Sequence, residues 1–377
     1  MVPLARKTLI HEWRRFLPAV LAVGFAGLLQ VLQAALVLGI FSSASVYVTG
    51  SSADLWIGYP GTQSVDQGRA LDPDVEMRAR MDPAVRQVEP YVWLDADWHG
   101  GNHTGGVSIY VSGIDVRADG MMFAHVLDAP LRVLLAEPDA VVIDRADLDK
   151  LGTAVGRDAA INGHPVHVVG VTSGLRALGG VNVVASLETV RRLDGDTGAA
   201  GRPTYLLARV APGNDVAAVA ARLRGAHGFG PYDAWTAKDF ARRSVSYWMF
   251  DTGAGTGVLF LAGIVFLVGA VITSQTLVAA VTGSVREYAT LNALGVGLPA
   301  LRRIVLEQAF WVGALGLLGA GVVGVVVMAV AQSQDVPVRL TVPVTLGCAV
   351  LVMALAGVSG LAAMRSMRRA DPATLLR

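Results

Sequence analysis

Residues 252–285 read TGAGTGVLFLAGIVFLVGAVITSQTLVAAVTGSV and contain no charged side chain. A helix rises about 1.5 Å per residue, so about 20 apolar residues cross the ~30 Å hydrocarbon core of a bilayer. Three further uncharged runs of comparable length occupy Phe16–Phe41, Gln308–Gln334 and Leu340–Met364. The sequence therefore predicts four transmembrane helices, one before and three after a long, more polar stretch.

The composition supports a membrane protein. Hydrophobic residues make up 53% of the chain and charged residues 16%, whereas an average soluble domain has about 25% charged residues. The formal net charge of +1 gives no overall field that favours nucleic acid, so no nucleic-acid partner is expected. The single cysteine, Cys348, lies in an apolar run and excludes an intrachain disulfide.

The basic residues beside the spans predict the orientation of the chain, because short cytoplasmic segments are enriched in Lys and Arg. The N-terminal tail, the loop between the second and third spans and the C-terminal tail together contain eleven basic and four acidic residues. Both termini are therefore expected in the cytoplasm. The predicted segments are spans at 16–41, 254–281, 308–331 and 342–364, an extracytoplasmic domain at 45–248, a cytoplasmic loop at 284–303 and a cytoplasmic tail at 365–377.

The domain between the first two spans has the pattern of a mixed α+β fold, in which short β-branched runs alternate with short helical segments. Segments 96–106, 173–180 and 194–203 are rich in glycine and are predicted to be loops. Ser186 is predicted to cap the helix that follows it. The predicted strands are 54–59, 107–111, 140–143, 166–171, 181–185 and 205–210, and the predicted helices are 75–81, 145–151, 187–193 and 216–223.

Small and polar residues inside the spans predict how the helices pack. Gly316, Ala320 and Gly324 recur at four-residue spacing, which allows a neighbouring helix to approach closely, either within the subunit or between two copies. Gln30 and Gln33 share one face of the first span. They are explained equally by hydrogen bonds between helices and by a transport path.

No motif in the chain carries catalytic chemistry. The three lysines, Lys7, Lys150 and Lys238, do not follow a phosphate-binding glycine loop, so the sequence has no P-loop. The pairs His99/His103 and His164/His167 lack a placed glutamate, and we interpret them as surface histidines rather than metal ligands. The sequence therefore predicts a non-enzyme with no catalytic, metal or cofactor site of its own.

The loop between the second and third spans is predicted to contain a compact helix. Ser284 and Glu287 have the pattern of a capping box at its start, and Gly295 is predicted to end it. The helix presents Tyr288, Leu291 and Leu294, too much apolar surface for a free helix in water, so either the bilayer or a cytoplasmic partner covers it. Pro299 is predicted to begin the next helix.

Here the sequence resembles the FtsX/MacB-type ABC permeases. Residues 286–295, REYATLNALG, with LRRI at 301–304 and LEQA at 306–309, are similar to that family's coupling segment. Residues 5–17, ARKTLIHEWRRFL, resemble the amphipathic helix before its first span, assigned here to 1–15. VGRD at 155–158, ING at 161–163, VVGV at 168–171 and ADPATLLR at 370–377 also fit, and ADLWIGYPG at 53–61 is most similar to the DevC-like branch.

The resemblance implies a fold with one transmembrane helix, then three, and a large α+β extracytoplasmic domain inserted between helices 1 and 2. It implies a bacterial inner-membrane permease that pairs with a second copy and with two separate ABC ATPase chains, which would bind ATP and Mg²⁺. Such permeases transmit ATP-driven motion to the outer domain, here expected for export or extraction of a hydrophobic, lipid-linked or peptide cargo. The residues expected to contact the ATPase are Arg286, Glu287, Tyr288, Leu291, Leu294 and Gly295.

Two alternatives remain. The ATPase-driven chain could regulate a cell-envelope enzyme or sensor, or the chain could be a receptor or scaffold that uses no ATP. The DevC-like resemblance also implies a periplasmic membrane-fusion adaptor and an outer-membrane duct as partners.

Overall fold

The computed structural model describes residues 11–101, 105–194, 202–224, 230–283, 290, 297–334 and 336–367. They form two compact units, one from the first part of the chain together with residues from Thr256 onward, and one from Ile40–Gly255. The first unit is helical and the second is α+β.

Four long helices among the described residues are apolar enough to cross a membrane. They are α1 (Trp13–Ser43), α9 (Gly253–Gly283), α10 (Leu298–Ser333) and α11 (Val342–Met367). The shorter helices α2 to α8 lie between α1 and α9 in the chain. The fold class, one helix and then three around an inserted α+β domain, is confirmed. Helix α1 is continuous from Trp13, and the boundary between a cytoplasmic helix at 1–15 and a first span at 16–41 remains a prediction.

The helical unit has a small core where α1, α10 and α11 meet. Phe16, Ala19 and Val23 of α1 pack there with Val312 of α10 and with Val352 and Ala356 of α11. Most other large side chains of these helices are exposed, as expected for surfaces that contact lipid.

The α+β domain contains short helices and a nine-stranded sheet of order β3-β7-β4-β6-β5-β2-β8-β1-β9 among its described residues. All six predicted strands are confirmed, with ends shifted by at most a few residues. The strands are β1 (Leu55–Gly58), β2 (Val85–Gly100), β3 (Val107–Ile114), β4 (Ala140–Asp144), β5 (Asp158–Ile161), β6 (His164–Thr172), β7 (Val181–Ser186), β8 (Tyr205–Val210) and β9 (Asp233–Thr236).

The short helices of this domain include the four predicted ones. They are α2 (Val46–Thr49), α3 (Pro73–Met81), α4 (Ala129–Leu134), α5 (Leu148–Leu151), α6 (Leu187–Leu193), α7 (Val216–Arg224) and α8 (Ala237–Ser246). The Ser186 hydroxyl accepts a hydrogen bond from the Thr189 amide at 3.1 Å, which confirms the predicted cap of α6. The predicted helix at 145–151 divides into a 3₁₀ turn at Arg145–Asp147 followed by α5.

The long strand β2 joins two lobes of the sheet. The first lobe contains β8, β1 and β9, and the second contains β3, β7, β4, β6 and β5. Its first half pairs with β8, with Tyr91 opposite Tyr205, and its second half pairs with β3, with Val92 opposite Gly113. Because β2 also pairs with β5, the strands β3, β7, β4, β6, β5 and β2 close into a ring. The predicted loop at 96–106 is wrong as far as Gly100, since alternate residues from Ala96 point into the ring's core.

Candidate functional site

The predicted ATPase-coupling residues Arg286, Glu287, Tyr288, Leu291, Leu294 and Gly295 lie outside the described residues. The described part resumes at Gly297, and α10 begins at Leu298 with Pro299 in its first turn, as predicted. The predicted coupling loop therefore leads directly into α10, so a force on the loop would act on this helix.

The strip of small residues on α10 faces α1 of the same chain. A Cβ atom added at Gly316 would lie 3.0 Å from both the Gly24 backbone nitrogen and the Val20 carbonyl oxygen. Ala320 contributes the next contact, with its methyl group 3.8 Å from a Cβ built on Gly27, and Gly324 lies beside Leu28. The two helices thus meet backbone to backbone, and a larger residue at 316 would separate them.

A second close approach holds the other end of α1. The amide of Arg339, between α10 and α11, donates to the Ala35 carbonyl at 3.0 Å. A Cβ at Gly39 would lie 1.8 Å from the Pro337 carbonyl oxygen, so only glycine fits there. The α1 helix therefore has two close backbone contacts, one with α10 and one with the segment between α10 and α11.

Within the α+β domain, the two chain connections to the helical unit lie together. The short helix α2 follows α1 along the chain, α8 precedes α9, and α2 packs against α8. Tyr47 of α2 and Phe240 of α8 enter one buried cluster with Trp56, Tyr91 and Tyr205. The ring centroids of Trp56 and Phe240 are 5.6 Å apart, and those of Tyr47 and Tyr91 are 6.5 Å apart.

Two buried charged residues fix the loop before α4, which is hydrogen-bonded to the residues after α2. Glu89, fully buried on β2, accepts hydrogen bonds from the Met121 and Met122 amides. Arg132 of α4, also buried, donates to the Asp115 carbonyl at 2.9 Å and to the Met122 carbonyl. The Met121 carbonyl then accepts from the Ser52 amide at 2.9 Å, which ties the loop to the residues after α2.

This environment changes the acidity of its groups. Burial raises the pKa of Glu89, although the two amide donors act in the opposite direction. Burial likewise raises the pKa of Tyr47, Tyr91 and Tyr205, so these phenols stay neutral. Burial lowers the pKa of Arg132, opposed by the nearby Glu89 and Asp115 carboxylates. Burial therefore keeps the three phenols neutral and disfavours the charged forms of both Glu89 and Arg132.

The histidines do not assemble a metal site among the described residues. No group of three His, Cys, Asp or Glu side chains suited to a metal occurs there. His99 lies on β2 and His164 and His167 lie on β6; His99 and His164 are exposed and His167 is half-buried, as expected for surface histidines, while His103 is outside the described residues. Their positions are set by strand pairing: His99 of β2 pairs with Ala160 of β5, and His167 of β6 pairs with Asp158 of β5.

Local sequence patterns do not reveal the buried aromatic cluster of Tyr47, Trp56, Tyr91, Tyr205, Trp235 and Phe240, which we call the aromatic base, or the buried Glu89 and Arg132 beside it. Available signals were the aromatic residues directly after the first span and before the second, at Tyr47, Trp235 and Phe240. Aromatic side chains close to both connections would have indicated a packed base.

Two family models together match most of the chain. Residues 19–226 match the model described as MacB-like periplasmic core domain. Residues 259–372 match the model described as FtsX-like permease C-terminal. No curated protein sequence matched.

Two solved structures are similar to about half of this chain. The periplasmic region of MacB from Actinobacillus actinomycetemcomitans is 14% identical, with a TM-score of 0.35, over 52% of this chain and 94% of that one. The extracellular domain of the noncanonic ABC-type transporter YknZ from Gram-positive bacteria is 15% identical, with a TM-score of 0.33, over 49% of this chain and 100% of that one.

Proposed function

Because the chain belongs to the MacB/FtsX-type family of ABC transporter permeases, we propose that it converts ATP hydrolysis by a separate subunit into movement of its α+β domain. The chain is a multi-pass inner-membrane subunit. Family membership implies an ABC ATPase partner and a dimer. The transmission of motion, the cargo and the coupling residues are the parts that we propose.

The observation that carries the proposal is the backbone contact between α1 and α10. The α10 helix follows the coupling loop, and at Gly316 it has no side chain between its backbone and Gly24 of α1. Closely packed helices move as rigid bodies, because packed protein interiors switch between discrete arrangements and do not deform continuously. A push on the loop would therefore reach α1, whose chain leads into Tyr47 and the aromatic base.

The proposed cytoplasmic contact is made by residues 286–295, chiefly through Tyr288 and Leu291. In this arrangement the ATPase chains bind ATP and Mg²⁺, both termini of the permease are cytoplasmic, and the α+β domain is outside. The proposed cargo is a hydrophobic, lipid-linked or peptide molecule. The DevC-like resemblance extends the proposal to a membrane-fusion adaptor and an outer-membrane duct.

Copurification tests the ATPase contact. The tagged full chain should capture an ABC ATPase, and the double variant Tyr288→Ala/Leu291→Asp should lose it, because an apolar surface becomes charged. Asn292→Asp adds the same charge to the same segment and should retain the ATPase. A chain that never captures a P-loop ATPase would show that ATP coupling is wrong.

A second experiment tests transmission separately from binding. Gly316→Leu should leave the ATPase bound but abolish export or envelope activity in cells, since it separates α10 from α1. Gly319→Leu is the matched control, because a Cβ at Gly319 meets nothing within 4 Å. Equal activity of the two variants would contradict the proposed route through α1.

Deletion of the chain separates export from regulation. Export predicts that a hydrophobic or lipid-linked cargo accumulates on the cytoplasmic side or in the inner membrane. Loss of an envelope enzyme's activation without any accumulated cargo would replace export with regulation.

A further inference from the structure

The first turns of α10 carry two neighbouring stripes of side chains, each with four-residue spacing. The members of one stripe are buried, at 5% exposed or less: Leu301, Val305 and Ala309. The members of the other are exposed: Arg302, Leu306 and Phe310. Residues four apart lie on one face of a helix, so the second stripe runs from an arginine to an aromatic ring along an exposed face of α10.

The contacts between α1 and α10 show that both helices begin at the same end of the helical unit. Gly24 meets Gly316, and Gly324, two turns further along α10, lies beside Leu28, one turn further along α1. Both contacts advance in the same chain direction, so the two helices run parallel. The residues that precede the two contacts therefore lie at one common end.

Three arginines lie at this end. Arg14 of α1 is ten residues before Gly24, just as Leu306 is ten residues before Gly316, so Arg14 lies at about the level of Leu306. Arg302 and Arg303 lie one turn nearer the start of α10. We call the three exposed arginines, Arg14, Arg302 and Arg303, the basic end.

The basic end has little counter-charge. In the described part of the chain none of its three guanidinium groups forms an ion pair with a carboxylate, and Glu307, one turn beyond Arg303, forms none either. Glu12 is already paired with Arg15 at 2.9 Å. The charge of the basic end is therefore available to an anion from outside the chain.

Exposed apolar side chains continue from the arginines toward the interior of the span. Leu306 is 39% and Phe310 55% exposed, and the Trp311 ring lies 5.9 Å from the Phe310 ring. Phe310 is eight residues beyond Arg302, or about 12 Å along the helix axis. Aromatic side chains collect at the edge of the hydrocarbon core, where phosphate headgroups lie just outside them.

We propose that the basic end binds the headgroup of an anionic phospholipid, with acyl chains against Leu306 and Phe310. The arginines complement the negative charge of the headgroup, and the stripe beyond them matches the direction of the chains. An acidic protein surface would also complement the arginines, but it would leave the apolar half of the stripe uncovered. This proposal does not depend on the ATPase partner or on which side of the membrane the basic end faces.

Lipid binding to the full-length chain in detergent, measured by native mass spectrometry, tests the proposal. The probes are dioleoyl phosphatidylglycerol and dioleoyl phosphatidylcholine, which have the same acyl chains and differ in net charge. We expect the chain to bind phosphatidylglycerol about 100-fold more tightly, because each of three arginines beside an anionic headgroup contributes a factor of about five.

Variants connect this preference to the basic end. Arg302→Gln/Arg303→Gln should lower the preference for phosphatidylglycerol about 25-fold, and Arg14→Gln about fivefold. Arg86→Gln/Arg339→Gln is the matched control, because it removes the same charge from two other exposed positions and should leave the preference unchanged.

Equal binding of the two lipids by the wild-type chain would overturn the proposal, and so would a double variant at 302 and 303 that keeps the full preference. A double variant that keeps the preference but loses a copurified ABC ATPase would assign the arginines to a protein contact instead. If that variant does not yield folded protein, Arg14→Gln and the comparison of the two lipids on the wild-type chain decide the question.

Discussion

At the scale of single residues, Asp82 stabilises the first lobe by a bidentate ion pair. Its buried carboxylate accepts from Arg222 Nε at 2.8 Å, from Arg222 Nη2 at 2.7 Å and from the Ala84 amide at 3.0 Å. The hydrogen bonds from Arg222 lower the pKa of Asp82 below its ordinary value. A lowered pKa in the folded state adds stability above the unfolded-state value of about 3.9, and this stability is lost as the pH falls through the folded-state pKa.

Asp82→Asn should therefore lower the free energy of unfolding at neutral pH by about 1–2 kcal/mol, a moderate value because Arg222 is half exposed. The difference from the wild-type chain should shrink below about pH 4. Urea titrations followed by tryptophan fluorescence measure it. Asp72→Asn is the control, since its carboxylate is 47% exposed and 3.5 Å from Arg202. A difference that does not change with pH would contradict the assigned role.

Glu89 makes a different contribution, through the two backbone amides that it satisfies. Glu89→Ala leaves the Met121 and Met122 amides without an acceptor in a buried site. We expect a loss of about 1–3 kcal/mol for each amide. Thermal unfolding of the purified chain measures the loss, and Glu188→Ala, whose side chain is 80% exposed, should leave stability almost unchanged. A small effect at Glu89 would mean that the loop before α4 does not depend on this carboxylate.

At the scale of elements, the contact between α1 and α10 decides how the helical unit packs. Gly316→Leu must push the helices apart, since a Cβ at that position is already 3.0 Å from the α1 backbone. We expect a destabilisation of about 1–3 kcal/mol, the usual range for overpacking. Thermal unfolding in detergent measures it. Gly319→Leu on the same helix points into open space and should be nearly neutral, and equal effects would contradict the contact.

At the scale of the whole molecule, the orientation of the chain is open to direct measurement. With the single cysteine removed by Cys348→Ser, Thr290→Cys and Ser108→Cys place one thiol in the coupling loop and one on β3. A membrane-impermeant maleimide should label position 108 from outside intact cells and position 290 only after permeabilisation, because basic flanks stay in the cytoplasm. Labelling of position 290 in intact cells would place the coupling loop on the wrong side.

The four long helices and the strands β1, β3, β4, β6, β7 and β8 were predictable because local patterns determine them. An uncharged run has few alternatives to a membrane helix, and short β-branched runs between turn residues favour strands. By contrast, β2 contains Pro90 and ends in Gly100, which locally oppose a strand. Pairing with β8, β3 and β5 overrides these preferences, so β2 could not be recognised from its own residues.

The same division applies to the candidate sites. The spacing of Gly316, Ala320 and Gly324 predicted a packing face but left its partner open, either α1 or a second copy. The fold brings Gly24 to Gly316 because both lack a side chain at the point where the helices cross. The coupling residues Arg286, Glu287, Tyr288, Leu291, Leu294 and Gly295 rest on sequence and resemblance, because they lie outside the described residues.

By itself, the sequence determined which segments are apolar, how long they are and where basic residues flank them, since these properties belong to each segment alone. Only the tertiary structure decided that α2 packs on α8, that Glu89 holds a loop, and that Gln30 is enclosed without a partner. These features join residues far apart in the chain. The balance of burial, hydrogen bonding and close approach that selects them exists only once the chain has folded.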